Sequence, residues 1–141
     1  MSSAPTDSDD PLGYIDSSAF TKIVLDEPES DHLRDFLSKA GFALVSSSLL
    51  RVETTRAVSL VASAPGARVE LDSALDEITL LTVSEAIVRR ASTIEAPLLR
   101  TLDAIHLATA LEVGAGQLIA YDRRLADAAR AHGLDVASPG A

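Results

Sequence analysis

Five short apolar runs, separated by stretches with helical spacing, constrain this chain more than any other feature. Tyr14 and Ile15 lead into Asp16, and Phe42 to Ser46 reads FALVS. Ile78 to Val83 reads ITLLTV, Gln117 to Tyr121 QLIAY, and Leu134 to Ala137 LDVA. Short apolar runs bounded by turn residues suit strands covered on both faces. Between them, Leu33, Phe36, Leu37 and Ala40 share one helical face, and Gly41 stands where a left-handed cap belongs. Val52, Leu60, Val61 and Ala64 suit the face of one longer helix after the second strand, and Ser63 to Gly66 (SAPG) reads as its stop and a turn. Ile87, Val88, Ala91 and Ile94 line a helix behind a Ser84 N-cap. Ile105, Leu107, Ala108 and Leu111 build another that stops at Gly114, and Leu125, Ala128 and Ala129 a last one closed by Gly133. The alternation predicts an α/β domain with a central, mostly parallel sheet of four to five strands.

A chain of 141 residues, 47% hydrophobic and 23% charged, suffices for one such domain and not comfortably for two. The domain is expected over 13–139, behind a flexible tail (1–12) rich in Ser, Asp and Pro. That tail has no basic n-region or apolar h-region, so no signal peptide is expected. No apolar run approaches the roughly 20 residues that cross a bilayer, and a cytoplasmic protein with no membrane partner is expected. The absence of cysteine removes disulfides, thiolate nucleophiles and zinc–thiolate sites. A net charge of −9 counts against tight non-specific binding to nucleic acid, unless arginines gather locally and cations cancel carboxylates.

Ligands of open α/β sheets bind beyond the carboxyl ends of the strands. Asp16 ends the first strand and Asp122 the fourth, while Glu53 and Asp103 fall early in the helices after strand two and before strand four. Each has an ordinary reading: Asp16 and Asp122 as N-caps, Asp103 as a first-turn acid, Glu53 as an exposed glutamate. Yet Glu53 and Asp103 stand beside core positions, whereas the solvent acids cluster at Asp7 to Asp10 and Asp26 to Asp31. Clustered carboxylates repel, and one takes up a proton unless a cation holds them. Oxygen donors without thiolates suit Mg²⁺ or Mn²⁺.

The stretches Tyr14-Ile15-Asp16-Ser17-Ser18-Ala19, Leu50-Arg51-Val52-Glu53, Leu102-Asp103-Ala104-Ile105-His106-Leu107-Ala108 and Ala120-Tyr121-Asp122-Arg123-Arg124-Leu125 resemble, in order and spacing, PIN domains, specifically VapC toxins of bacterial toxin–antitoxin pairs. The resemblance runs from about Gly13 to Pro139. It implies a three-layer α/β/α fold, a homodimer, Mg²⁺ or Mn²⁺ dependence, and endoribonuclease activity blocked by a VapB-like antitoxin. Carried onto this chain, it makes Asp16, Glu53, Asp103 and Asp122 the catalytic and metal-binding acids, with Ser17 or Ser18 as hydroxyl support. Many relatives carry a hydroxyl residue where this chain has Ala120, which removes one possible hydrogen bond to the last acid.

Metal-assisted hydrolysis of an RNA phosphodiester is the expected reaction, the ion lowering the pKa of the attacking water. Arg51, Arg56, Arg100, Arg123 and Arg124 flank the acidic motifs; Arg51, Arg123 and Arg124 are the expected RNA contacts, with pairing to nearby acids as the alternative. Aromatics are only 4% of the chain, too few for a stacking platform. His106, three residues after Asp103, reads as a structural histidine rather than a general base. A receiver-like module lacks its acid at the end of strand three, and Asp16-Ser17-Ser18 lacks the second aspartate of common aspartyl phosphohydrolases. An acidic-site phosphohydrolase and a catalytically inactive PIN-fold binding module remain the alternatives to the nuclease. An inhibitor is expected to press an Arg or Lys near Asp16 and Asp103.

Overall fold

The computed structural model describes residues 10–61 and 65–141. Along them run β1 (Leu12–Ile15), α1 (Ser17–Val24), α2 (Ser30–Ala40), β2 (Ala43–Ser47), α3 (Leu49–Val61) and α4 (Pro65–Leu75). Then follow β3 (Thr79–Leu81), α5 (Glu85–Thr93), α6 (Thr101–Val113), β4 (Gln117–Ile119), α7 (Arg123–Ala131) and β5 (Asp135–Ala137). The strands form one sheet in the order β3-β2-β1-β4-β5, and every pairing is parallel.

Adjacent residues of a strand face opposite sides of its sheet, and the apolar runs use both. Tyr14 and Leu118 enter one core cluster with Leu107 of α6 and Leu125 of α7. Ile15 and Ile119 enter the other, with Phe20 of α1, Leu33 of α2, Leu50 of α3 and Leu71 of α4. Helices therefore cover both faces, giving the three-layer α/β/α arrangement. Each fully buried aliphatic side chain contributes about 1.5–3 kcal/mol. A hydrophobic contact also fixes one glycine: a Cβ at Gly13 would meet the Phe42 ring at 2.8 Å. Gly41 and Gly114 end α2 and α6 with φ of 68° and 71°, the left-handed caps that the sequence predicts.

Two expectations about the helices need correction. The face of α3 read from apolar spacing points outward, with Val52, Leu60 and Val61 at 57%, 85% and 70% exposure. Leu50, Thr54 and Val58 are buried instead. Thr54 is tolerated inside because its hydroxyl donates to the Leu50 carbonyl at 2.7 Å. Ala64 lies outside the described residues, as do the first two residues of the expected turn at Ser63 to Gly66. Pro65 and Gly66 open α4, a helix the sequence reading lacks, and Leu71 and Leu75, one turn apart, anchor it. Pro suits a helix start, where its missing N–H leaves no bond unmade.

β1 begins at Leu12, which pairs with Ala43, inside the segment set aside as tail. From β1 the chain builds outward to β2 and β3, then crosses back to lay β4 against the other side of β1. The strand order thus reverses between β1 and β4, where a crevice opens at the carboxyl ends of the strands.

Candidate active site

A cavity of about 620 Å³ lies at this switch point, and Asp16, Glu53, Asp103 and Asp122 all line it, with Ser17, Ser18 and Arg100. Four acids spread over more than a hundred residues of chain are brought together because β1 and β4 are neighbours and α3 and α6 flank them.

Asp16 follows β1 and caps α1: its Oδ1 accepts the Ala19 N–H at 3.0 Å. The capping and site readings are therefore compatible. The Ser18 hydroxyl lies 2.7 and 2.9 Å from the two carboxylate oxygens and donates to them, while accepting the Tyr121 N–H at 2.9 Å. Ser18 thereby ties the end of β1 to the segment after β4. Asp16 is only 2% exposed, and burial pushes its carboxyl up to about 6, against the opposing hydrogen bonds from Ser18 and Ala19. The nearby Asp103 charge adds to the rise and His106 counters it.

Asp103 stands in the first turn of α6, half-buried, and its carboxyl is also raised, by burial first and then by the charge of Asp122. Arg100, at the α6 N-cap, opposes that rise. Its guanidinium is 3.6 Å from Asp103 and 3.6 Å from Asp122, spanning the two acids. Asp122 caps α7 by accepting the Leu125 N–H at 3.0 Å. Ala120, in the place of a hydroxyl, is fully buried in the core under α6 and α7.

Glu53 reaches the cavity from α3, and its Oε1 lies 2.6 Å from Nε2 of His106. His106 Nδ1 lies 2.6 Å from the Tyr14 hydroxyl, with the two rings edge to face. Burial favours the neutral imidazole, but the Glu53 hydrogen bond and the charges of Glu53, Asp16 and Asp103 outweigh it and raise the pKa of His106. Both ring nitrogens are engaged and the side chain is 1% exposed, so this histidine cannot take a proton from water in the cavity.

The donor chemistry fits a hard divalent ion. Every acid offers oxygen, and the carboxyls of Asp16 and Asp103 are raised first by burial, with the charge of neighbouring acids adding to the rise. Among the described residues no three acidic or imidazole groups converge closely enough to hold an ion unaided. Asp16, Glu53 and Asp103 each also meet a protein partner: Ser18, His106 and Arg100 in turn. Magnesium keeps several waters, which bridge donors too far apart to touch it directly.

The PIN domain family matches residues 13–131. The chain belongs to that family. This PIN domain is 43% identical to Ribonuclease VapC46 of Mycobacterium tuberculosis, over 89% of this chain and 96% of that protein. It is 38% identical to Ribonuclease VapC47 of the same species, over 91% of this chain and 97% of that one. Its fold superposes on a toxin–antitoxin complex from Klebsiella pneumoniae with a TM-score of 0.71 at 16% identity, covering 90% of this chain and 97% of that one.

The arginines expected at the substrate divide. Arg51 leans toward Asp72 of α4, 3.9 Å away, and Arg123 and Arg124 are exposed at the start of α7; none of the three lines the cavity. Arg100, one of five flanking arginines in the sequence, does line it. Its position three residues before Asp103, at the N-cap of the same helix, was the available signal. The contact between His106 and Glu53 has no such signal, because the partners are 53 residues apart.

Proposed function

We propose that this PIN domain is a divalent-metal-dependent endoribonuclease, the toxin of a toxin–antitoxin pair, with Asp16, Glu53, Asp103 and Asp122 as its acidic centre. The observation that carries the reading is the convergence of these four acids on one cavity at the switch point of the sheet. Two relatives that bear the name ribonuclease, each matching nearly the whole chain, support the activity.

Asp16, Glu53 and Asp103 would hold a Mg²⁺ or Mn²⁺ ion, directly or through water, and Asp122 would hold a second ion or orient the attacking water. Such an ion lowers the pKa of bound water and offsets charge developing on the phosphoryl oxygens. Ser18 keeps Asp16 in a fixed rotamer with its hydroxyl bond, and the helix caps made by Asp16 and Asp122 restrict both side chains further. Arg100, exposed and beside two of the acids, is placed to meet a backbone phosphate once a cation relieves those acids of it.

An antitoxin partner is part of the same proposal, supported by the toxin–antitoxin complex whose fold this chain shares. A basic side chain from that partner would enter near Asp16 and Asp103, as the Arg100 guanidinium already does between Asp103 and Asp122. A homodimer belongs with this proposal too, and the exposed Val52, Leu60, Val61 and Val88 offer apolar surface for assembly. Among the described residues no helix is long and apolar enough to cross a membrane, and a cytoplasmic site of action is proposed.

Purified full-length protein incubated with RNA and Mg²⁺ or Mn²⁺ tests the activity. Internal cleavage that stops with EDTA and returns with added metal is expected. RNA left intact under every metal condition would make the domain a binding module instead. A partner that co-purifies and crosslinks only to the face opposite the cavity would contradict the inhibition scheme.

A further inference from the structure

His106 is a buried titratable side chain beside the site that the proposed chemistry does not use. Its surroundings are specific. Nε2 meets Glu53 Oε1 and Nδ1 meets the Tyr14 hydroxyl, both at 2.6 Å. The ring is locked on both sides and almost wholly enclosed.

The direction of the Glu53 bond does not depend on the tautomer. A carboxylate only accepts, so Nε2 carries the hydrogen that faces it. A neutral ring then accepts from Tyr14 at Nδ1, and a charged ring donates to it; Glu53 is held the same way in both cases. One carboxylate oxygen is thus committed to the imidazole, and Oε2 is left for the cavity that Glu53 lines.

The positions of the three residues give this contact a wider reach. Tyr14 is two residues before Asp16, so both stand on one face of the β1 line. His106 is three residues after Asp103 on α6, and Glu53 is on α3. The path Tyr14–His106–Glu53 therefore spans the three elements that supply three of the acids. Without that contact Glu53 would be free about its three side-chain torsions, and fixing a long acidic side chain costs substantial rotamer entropy.

We propose that His106, braced by Tyr14, is a positioning residue that fixes the orientation of Glu53 and its spacing from Asp16 and Asp103, so that the acids meet a divalent ion as one set. The inference rests on the metal-site reading above. Partners that orient ligating groups in this way typically matter about 10- to 100-fold in metal affinity.

Mn²⁺ binding to the full chain, followed by calorimetry without RNA, tests it. Wild-type protein that binds Mn²⁺, and a D16N variant that does not, establish the metal site on their own. His106→Leu is expected to weaken Mn²⁺ binding by about 10- to 100-fold. His106→Gln, whose amide N–H reaches the Nε2 position, is expected to recover most of that loss, and Tyr14→Phe to weaken binding about several-fold with the fold retained by circular dichroism. Equal losses in the Leu and Gln variants would reduce His106 to packing and overturn the proposal. So would wild-type affinity in either His106→Leu or Tyr14→Phe, while the metal site itself stood. If His106→Leu does not fold, Tyr14→Phe decides, and unchanged affinity there overturns the proposal. Wild-type protein that binds no Mn²⁺ overturns the metal reading, and this proposal falls with it.

Discussion

Asp16 and Asp122 are built alike and surrounded differently. Each follows one of two adjacent parallel strands, and each caps the next helix by accepting an N–H three residues on, at 3.0 Å. Asp16 is buried, bonded through both oxygens to Ser18, and raised to about 6. The Asp122 side chain is 29% exposed and faces an arginine that is itself 70% exposed. The same local motif thus yields a carboxylate under electrostatic stress in one place and a partly solvated one in the other. Local sequence sets the cap, and burial decides how far the carboxyl is raised.

The largest expected difference is in cleavage. Asp16→Asn, which keeps the cap, is expected to lower the rate of RNA cleavage by on the order of 10³-fold or more, since a metal site supplies several kcal/mol to such reactions. Full activity in that variant would sink the assignment of the site.

The next effect is in stability and has the opposite sign. A carboxyl raised from 3.8 to about 6 keeps its proton in the folded protein where the unfolded chain has already released it. Raising pH across that interval therefore favours unfolding, by up to about 3 kcal/mol for this one group. Asp103 leans the same way, and the raised His106 loses its contribution only above its ordinary range. Urea midpoints in EDTA should show Asp16→Asn more stable than wild type above pH 6 and converging with it near pH 4. A pH-independent difference would mean that the Asp16 charge is already compensated.

Asp122→Asn should cost less, about 10- to 100-fold in cleavage, the scale of supporting groups around a metal. A loss as deep as that of Asp16→Asn would erase the distinction between the two acids. Ser18→Ala is the finest probe. Removing a donor to a buried carboxylate costs about 1.5 kcal/mol and shifts the pH at which Mn²⁺ begins to bind upward by about one unit. An unchanged profile would show that Ser18 serves only to join β1 to Tyr121.

The fold was largely legible because its signals are local. The five apolar runs mark the five strands among the described residues, Gly41 and Gly114 mark helix ends, and Ser84 caps α5 as its position suggests. What was missed depends on contacts between distant segments. In α4 the sequence ARVELDSAL mixes charges with few apolar residues, and only docking on α1 and α3 selects Leu71 and Leu75 as its anchors. The face of α3 turned on Thr54, a polar residue made acceptable by one backbone bond. The four acids that line the cavity were readable as candidates from strand ends and motifs. Their partners were not, since the bonds from Ser18 to Tyr121 and from His106 to Tyr14 link residues 103 and 92 positions apart.

Those same spans set a timetable. β1 leaves the ribosome well before β4, the neighbour that completes its edge, and before the acid behind it. Synthesis adds only about 5–20 residues per second, so a growing chain carries Asp16 for seconds before Asp122 exists to join it. The pocket, which Asp16 and Asp122 both line, is complete only once the segment carrying Asp122 has been made.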